Sequence, residues 1–162
     1  MSAVISDCGR YRYRLERHAL SGAGAVAWIM VNPSTADALQ DDATIRKVIG
    51  FSERLGFGWL IVGNKFAYRA TDVRELKSAA HAIGPENDDH LRSILADAQT
   101  VIAAWGPLAK LAAPHRRRWM TVERLAKEAG KSLMCLGTAA DGHPRHPLML
   151  AYDTPLVEWK AP

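Results

Sequence analysis

The chain has 162 residues, of which 48% are apolar and 23% are charged, a mix that fits one folded domain and excludes disorder as its main state. No apolar run approaches the ~20 residues that a membrane-spanning helix needs. The net charge of +4 is compatible with a polyanionic partner, and equally with a surface that keeps the protein in solution.

The first half of the chain predicts two buried strands joined by a helix. Tyr11–Leu15 predicts an additional edge strand. Ala25–Val31 and Trp59–Val62 are short apolar runs of the kind that form buried strands. Residues 42–55 lie between them and repeat apolar side chains at helical spacing.

The second half continues the alternation of strand and helix. Thr71 or Asp72 offers a side-chain oxygen to cap a short helix that runs to Ala80. Pro85 suits the first turn of the next helix. The remaining predicted elements are a strand at Thr100–Ala104, a helix at residues 116–129 and a strand at Ser132–Leu136.

This order of elements predicts an α/β fold, a three-layer α/β/α sandwich with a central four-stranded parallel sheet, in one domain that spans residues 1–162. Parallel strands joined by right-handed crossovers all end at the same edge of the sheet. Ligands of open α/β sheets bind at that edge. We therefore expect the functional site in the four loops that follow the strands.

The first loop carries Asn32, Pro33 and Ser34. The side chain of Asn32 has an amide donor and an acceptor oxygen on a short arm, and Pro33 stiffens the chain beside it. Asn32 is thus a candidate to orient a water or polarise a ligand, with Pro33 and Ser34 as substrate contacts. Asp42 is a candidate water base and Asp41 an alternative, although entry into the helix explains both acids equally well.

In the second loop, Asn64 is a candidate for binding substrate, Phe66 for stacking on a planar base and Arg69 for contacting a phosphate. The alternative places the aromatic side chain in the core and Arg69 on the surface. The third loop adds Trp105 and Gly106, where glycine permits close approach of a ligand to the backbone.

The fourth loop brings His143, Arg145 and His146 together with two prolines, Pro144 and Pro147. Histidine donates to a developing anion or carries a proton near neutral pH. His146 is the preferred catalytic residue of this loop, and His143 and Arg145 are candidate substrate contacts. The alternative is a stiff surface loop.

Other features limit the cofactors, partners and setting that we expect. The histidines lack metal-site spacing, and there is no phosphate-binding loop, dinucleotide fingerprint or nucleophile elbow, so we expect neither metal nor cofactor. Two cysteines, Cys8 and Cys135, favour a reducing, cytoplasmic setting. We expect a nucleic acid or nucleotide partner, no membrane, and a monomer.

Five segments together resemble the bacterial and phage family DUF1643, whose function is unknown. The resemblance covers roughly Tyr13 to Leu150. The segments are WIMVNPSTAD (28–37), GFGWLIVGNKFAYRATD (56–72), IGPEND (83–88), AAWG (103–106) and GHPRHPL (142–148).

The order of these motifs also resembles, more distantly, that of the uracil-DNA glycosylase superfamily. Mismatch-specific members have a Gly-x-Asn-Pro-Gly loop after the first strand, which Asn32 and Pro33 match. An Asn that reads the pyrimidine edge matches Asn64, and a His-Pro-Ser loop that helps the base to leave matches His146. The resemblance implies a fold like that of these glycosylases, with Asn32 positioning water, Asn64 holding the base and His146 stabilising the leaving base.

The expected function is therefore that of a base-releasing glycosidase that acts on a uracil-like or modified base in nucleic acid. A hydrolase or transferase of a free nucleoside or nucleotide is the alternative enzyme. A module that binds a nucleotide or nucleic acid without catalysis is the non-enzymatic alternative.

Overall fold

The computed structural model describes residues 1–18 and 20–162, and within them one mixed sheet contains seven strands. The strands are β1 Ser2–Ile5, β2 Arg12–Arg17, β3 Ala25–Met30, β4 Trp59–Asn64, β5 Thr100–Ala103, β6 Leu133–Cys135 and β7 Val157–Glu158. The α-helices are α1 Ala43–Arg54, α2 Asn87–Asp97 and α3 Arg118–Glu128. Short 3-10 helices cover Val73–Ser78, Leu108–Lys110, Ala113–His115 and Pro147–Met149.

The four predicted strands are the centre of the sheet, whose order is β1-β2-β4-β3-β5-β6-β7. β4, β3, β5 and β6 pair in parallel, as the alternation of strand and helix predicts. The sheet is nevertheless larger than the expected four strands. β1, β2 and β7 join it in antiparallel pairings.

The predicted edge strand at Tyr11–Leu15 is an internal strand. β2 lies between β1 and β4, because Ser2–Ile5 pairs along its outer side. This placement buries the polar side chains of β2, including those of Arg12, Arg14 and Arg17. Buried charges need internal partners, and Arg14 and Arg17 form ion pairs with acidic side chains.

The central strands are covered by helices on both faces. Val26 and Trp28 of β3 pack with Ile45, Val48 and Phe51 of α1. The alternate side chains of β3 belong to a second apolar cluster, built on α2 and α3. Because successive strand side chains point to opposite faces, the near-continuous apolar runs of the sequence are explained by burial on both sides.

The start of α1 lies beside the carboxyl ends of the parallel strands. Asp42 is the N-cap residue, and its Oδ1 accepts a hydrogen bond from the amide of Ile45 at 2.8 Å. Asp72 caps the 3-10 helix Val73–Ser78 in a capping box with Glu75, which confirms the predicted cap. Among the described helices, none is both long and apolar enough to cross a membrane.

Candidate active-site pocket

A pocket of about 860 Å³ lies where the parallel strands end. This volume falls within the range of roughly 300–1,000 Å³ that is typical of small-molecule sites. Four of the predicted site residues line it, namely Asn32, Ser34, Asp42 and His146. The pocket is completed by the start of α1, the segment 70–74, Lys110, Leu148 and Arg12.

Asn32 is held in one orientation by the backbone. Its Nδ2 donates to the carbonyl of Ala70 at 2.7 Å and to that of Pro33 at 3.0 Å. Both amide protons are therefore used, and Oδ1 remains as the polar atom that the side chain can offer to the pocket. An oxygen acceptor on a fixed arm can orient a water molecule, although an amide is not a strong base. Pro33 is buried behind Asn32 and also accepts from the amide of Ala70.

His146 has the geometry of a neutral hydrogen-bond donor. Its Nδ1 accepts a hydrogen bond from the amide of Leu148 at 3.3 Å, so in the neutral ring the proton is on Nε2. Burial lowers the pKa of His146 below its usual 6.5, while the charge of Asp42 acts in the opposite direction. The neutral tautomer that donates through Nε2 therefore dominates at pH 7.

Asn64 and Phe66 do not line this pocket. Phe66 is fully buried in a small core with Leu76, Ala82 and Leu111, so its ring is a packing residue. The side chain of Asn64 is also buried, and within the described part of the chain neither of its polar atoms has a hydrogen-bond partner. Arg69 is half-buried and donates to the carbonyl of Gly9 at 3.3 Å, away from the pocket.

The third and fourth loops contribute mainly to a second cluster on the α3 side. Trp105 and His143 are buried, with Trp105 Nε1 3.4 Å from His143 Nδ1. The His143 ring also packs against Trp119 and Trp159, and burial lowers its pKa. Arg145 is exposed and does not line the pocket.

Gly106 lies close to the pocket without lining it. Its φ is +74°, and a Cβ at this position would lie 3.5 Å from the Cβ of His146. A positive φ is costly for other residues. The glycine therefore sets the turn against which His146 packs, and this supports the orientation of the imidazole.

Sequence reasoning missed the buried cation Lys65, which lies beside the second cluster. The residue is fully buried, its Nζ has no hydrogen-bond partner among the described residues, and Nζ lies 5.3 Å from the Trp105 ring centroid. Its pKa is lowered to about 7, mainly by burial and also by the charge of Arg118, while the charge of Asp141 acts in the opposite direction. Its position at the end of a buried strand could have indicated that Lys65 is part of the site. A lysine in a loop is normally exposed, however, so its burial was not predicted.

Arg12 and Lys110 also line the pocket and were not predicted as site residues. In the sequence Arg12 lies among Arg10, Arg14 and Arg17, and basic clusters of this kind are usually exposed. The sequence does not show that Arg12 belongs to an internal strand, and this is why its burial was not predicted. Lys110 follows no recognisable motif.

Several arginines of the sequence are buried inside the protein. Arg14 pairs with Glu16 and with Asp97. Arg17 contacts Asp41 at 2.6 Å. Arg118 pairs with a carboxylate of α2 and donates to the carbonyl of Lys65 at 2.8 Å. These three arginines are therefore committed to internal acids and carbonyls.

Comparison with known proteins places the chain in a family but gives no activity. The family model described as "Protein of unknown function (DUF1643)" matches residues 12–148. The chain belongs to this family. No curated protein and no solved structure shows a significant match to it.

Proposed function

We propose that this member of the DUF1643 family is a base-releasing glycosidase that hydrolyses an N-glycosidic bond in the pocket at the strand ends. The observation that carries the proposal is that Asn32, Asp42 and His146 line one pocket of ligand size. The distant resemblance of its motifs to those of uracil-DNA glycosylases, whose three-layer arrangement we propose for this chain as well, supports the same chemistry. The expected substrate is a uracil-like or modified base in nucleic acid.

Each of the three residues has a distinct task in this reaction. As the bond between the base and the sugar breaks, negative charge develops on the base, and His146 Nε2–H donates a hydrogen bond to it. Asn32 Oδ1 accepts a hydrogen bond from the water that attacks the sugar carbon. Asp42 favours the positive charge that develops on the sugar and is the candidate to receive the water proton. The products are the free base, carrying one proton, and a sugar hydroxyl.

A second form of substrate, a free nucleotide, is favoured by the placement of the arginines. Arg17 and Arg118 are buried in internal ion pairs and are therefore not free to contact phosphates along a nucleic acid. Neutralising many phosphates needs exposed cations. Arg12 and the exposed Lys110 line the pocket, which suffices for a small anionic substrate.

The experiment that tests the proposal measures base release by the wild type and by His146→Ala, Asn32→Ala and the control His81→Ala. His81 is exposed and lies outside the pocket. The substrates are single- and double-stranded DNA carrying uracil, hypoxanthine or bulky modified pyrimidines, together with the matching nucleosides and nucleotides.

We expect the wild type and His81→Ala to release base at equal rates. We expect His146→Ala to be slower by a factor of about 100–1,000, as is typical when one donor to a developing anion is removed. Binding without turnover would instead support a non-catalytic nucleotide module. Release that is independent of both His146 and Asn32 would refute the assignment of the pocket.

A further inference from the structure

Arg12 is a buried cation that the fold leaves without a carboxylate partner. Only 2% of the surface of Arg12 is exposed to solvent. The other arginines that are buried, Arg14, Arg17 and Arg118, each form an ion pair with an aspartate or glutamate. In residues 1–18 and 20–162 no such pair forms at Arg12. An unpaired buried charge is costly, so its environment indicates a missing anion.

The hydrogen bonds of Arg12 are also incomplete. One terminal nitrogen, Nη1, donates to the carbonyl of Ala36 at 2.6 Å. Nε is buried without a partner, and the other terminal nitrogen forms no hydrogen bond within the described chain. The side chain lines the pocket. A guanidinium on a pocket wall with a free terminal nitrogen suits an oxyanion, which accepts a charge-assisted hydrogen bond from it.

The first turn of α1 adds further donors to the same pocket. Ala43 and Thr44 line it, and the 12-residue helix begins there. Asp42 uses the amide of Ile45, whereas the two preceding amides have no acceptor within the part of the chain that the structure describes. Free amides at the positive end of a helix bind phosphate and other anions.

The pocket carries acids as well, but they do not cancel its positive charge. Arg12, Arg74 and Lys110 outnumber Asp42 and Asp72 along the wall. Asp72 is bound by the guanidinium of Arg74 at 2.6 Å, and one carboxylate oxygen of Asp42 is used as the cap of α1. Arg12 and Lys110 therefore remain for a ligand.

We propose that Arg12 and the first turn of α1 bind a phosphate group of the substrate, which makes the substrate a nucleotide rather than a bare nucleoside. That the substrate also carries a nucleobase rests on the proposed function, whereas the phosphate site does not. The phosphate belongs either to a free nucleotide or to a nucleic acid strand. The chemistry of recognition is the same, so the source has to be separated by experiment.

The test uses calorimetric titration of the full chain at constant ionic strength, with sodium chloride as the balancing salt. The probes are inorganic phosphate, deoxyuridine, deoxyuridine 5′-monophosphate and a short single strand that contains deoxyuridine. Arg12→Gln removes the guanidinium, and Arg10→Gln is the matched control because Arg10 is exposed and lies outside the pocket.

We expect the wild type and Arg10→Gln to bind the monophosphate at least 10-fold more tightly than the nucleoside, and Arg12→Gln to lose this preference. Equal affinity for nucleoside and monophosphate in the wild type, together with no binding of inorganic phosphate, would overturn the proposal. Tighter binding of the monophosphate than of the strand assigns the phosphate to a free nucleotide, and the reverse assigns it to nucleic acid.

Two further variants decide the matter if Arg12→Gln does not fold. Lys110→Gln changes an exposed side chain, and Ala43→Pro removes one amide donor at a first-turn position that accepts proline. The backbone of Asp42 is already extended, as the residue before proline requires. We expect each to weaken phosphate binding several-fold, and unchanged binding in both would refute the site. These titrations need no turnover, so a phosphate site without base release would contradict the proposed function alone.

Discussion

Replacing Lys65 by methionine should stabilise this protein near neutral pH. The ammonium of Lys65 is fully buried and forms no hydrogen bond to any described residue, and its pKa is lowered to about 7. The folded protein therefore holds this proton less tightly than the unfolded chain. Methionine has a similar length and fills the space without a charge.

The size of the effect follows from the change in pKa. The pKa of Lys65 falls from 10.5 to about 7, and each pH unit of that difference corresponds to about 1.4 kcal/mol. The cost of charging Lys65 in the folded protein is thus at most about 5 kcal/mol. The contact with the Trp105 ring returns roughly 0.5–2 kcal/mol of this. We therefore expect Lys65→Met to raise the free energy of unfolding at pH 7 by roughly 2–4 kcal/mol.

The pH dependence gives the sharper test. Because the pKa is lowered in the folded state, the cost of Lys65 is fully present below pH 7 and disappears as the pH rises toward the unfolded value near 10.5. Urea unfolding at several pH values between 7 and about 10.5 should show the advantage of Lys65→Met shrinking across this range. Lys160→Met, which changes an exposed lysine, is the control and should show no such trend.

Two results would refute this reasoning. A stability difference between Lys65→Met and the wild type that stays constant over the whole pH range would mean that Lys65 keeps an ordinary pKa. A variant that is less stable than the wild type at pH 7 would mean that the charge has a favourable partner.

Three further predictions concern the core, a buried ion pair and the pocket. Ser52→Ala should lower the free energy of unfolding by about 1–3 kcal/mol in urea, because Trp28 Nε1 donates to Ser52 Oγ at 3.0 Å and would lose its partner. Arg17→Met should lower it by about 3–5 kcal/mol in the same assay, since Asp41 would lose a partner that is almost fully buried, and equal stability would show that the pair is dispensable. The rate of base release should fall in acid with an apparent pKa below 6.5, because protonation of His146 breaks its bond from the amide of Leu148, and a rate that rises in acid would contradict the role of the neutral ring.

Much of the fold could be predicted because its central strands are buried on both faces. Ala25–Met30 and Thr100–Ala103 are continuous apolar runs, and the helices between them have clear periodicity. The outer strands gave no such signal. β1 alternates exposed and partly buried residues over four positions, and β7 has only two exposed residues, so their pairing depends on contacts that a local pattern does not contain.

The site could be predicted in part for a similar reason. Asn32, Asp42 and His146 meet because parallel strands end at one edge, and the order of elements determines that edge. Asn64 and Phe66 follow a strand in the same way, but the core around Val73–Ser78 covers Phe66. Arg12 could not be predicted as a site residue because its segment is basic and looks exposed in the sequence. Only the pairing of β2 with both neighbouring strands shows that this segment is internal.

The most direct test of the central claim is to carry out the reaction in water enriched in oxygen-18 and to analyse the products by mass spectrometry. Hydrolysis of an N-glycosidic bond in the pocket of Asn32, Asp42 and His146 predicts one heavy oxygen on the sugar, none on the base, and loss of the label in His146→Ala. Heavy oxygen on phosphate, or on the base, would contradict the account, because the bond broken would then be a different one.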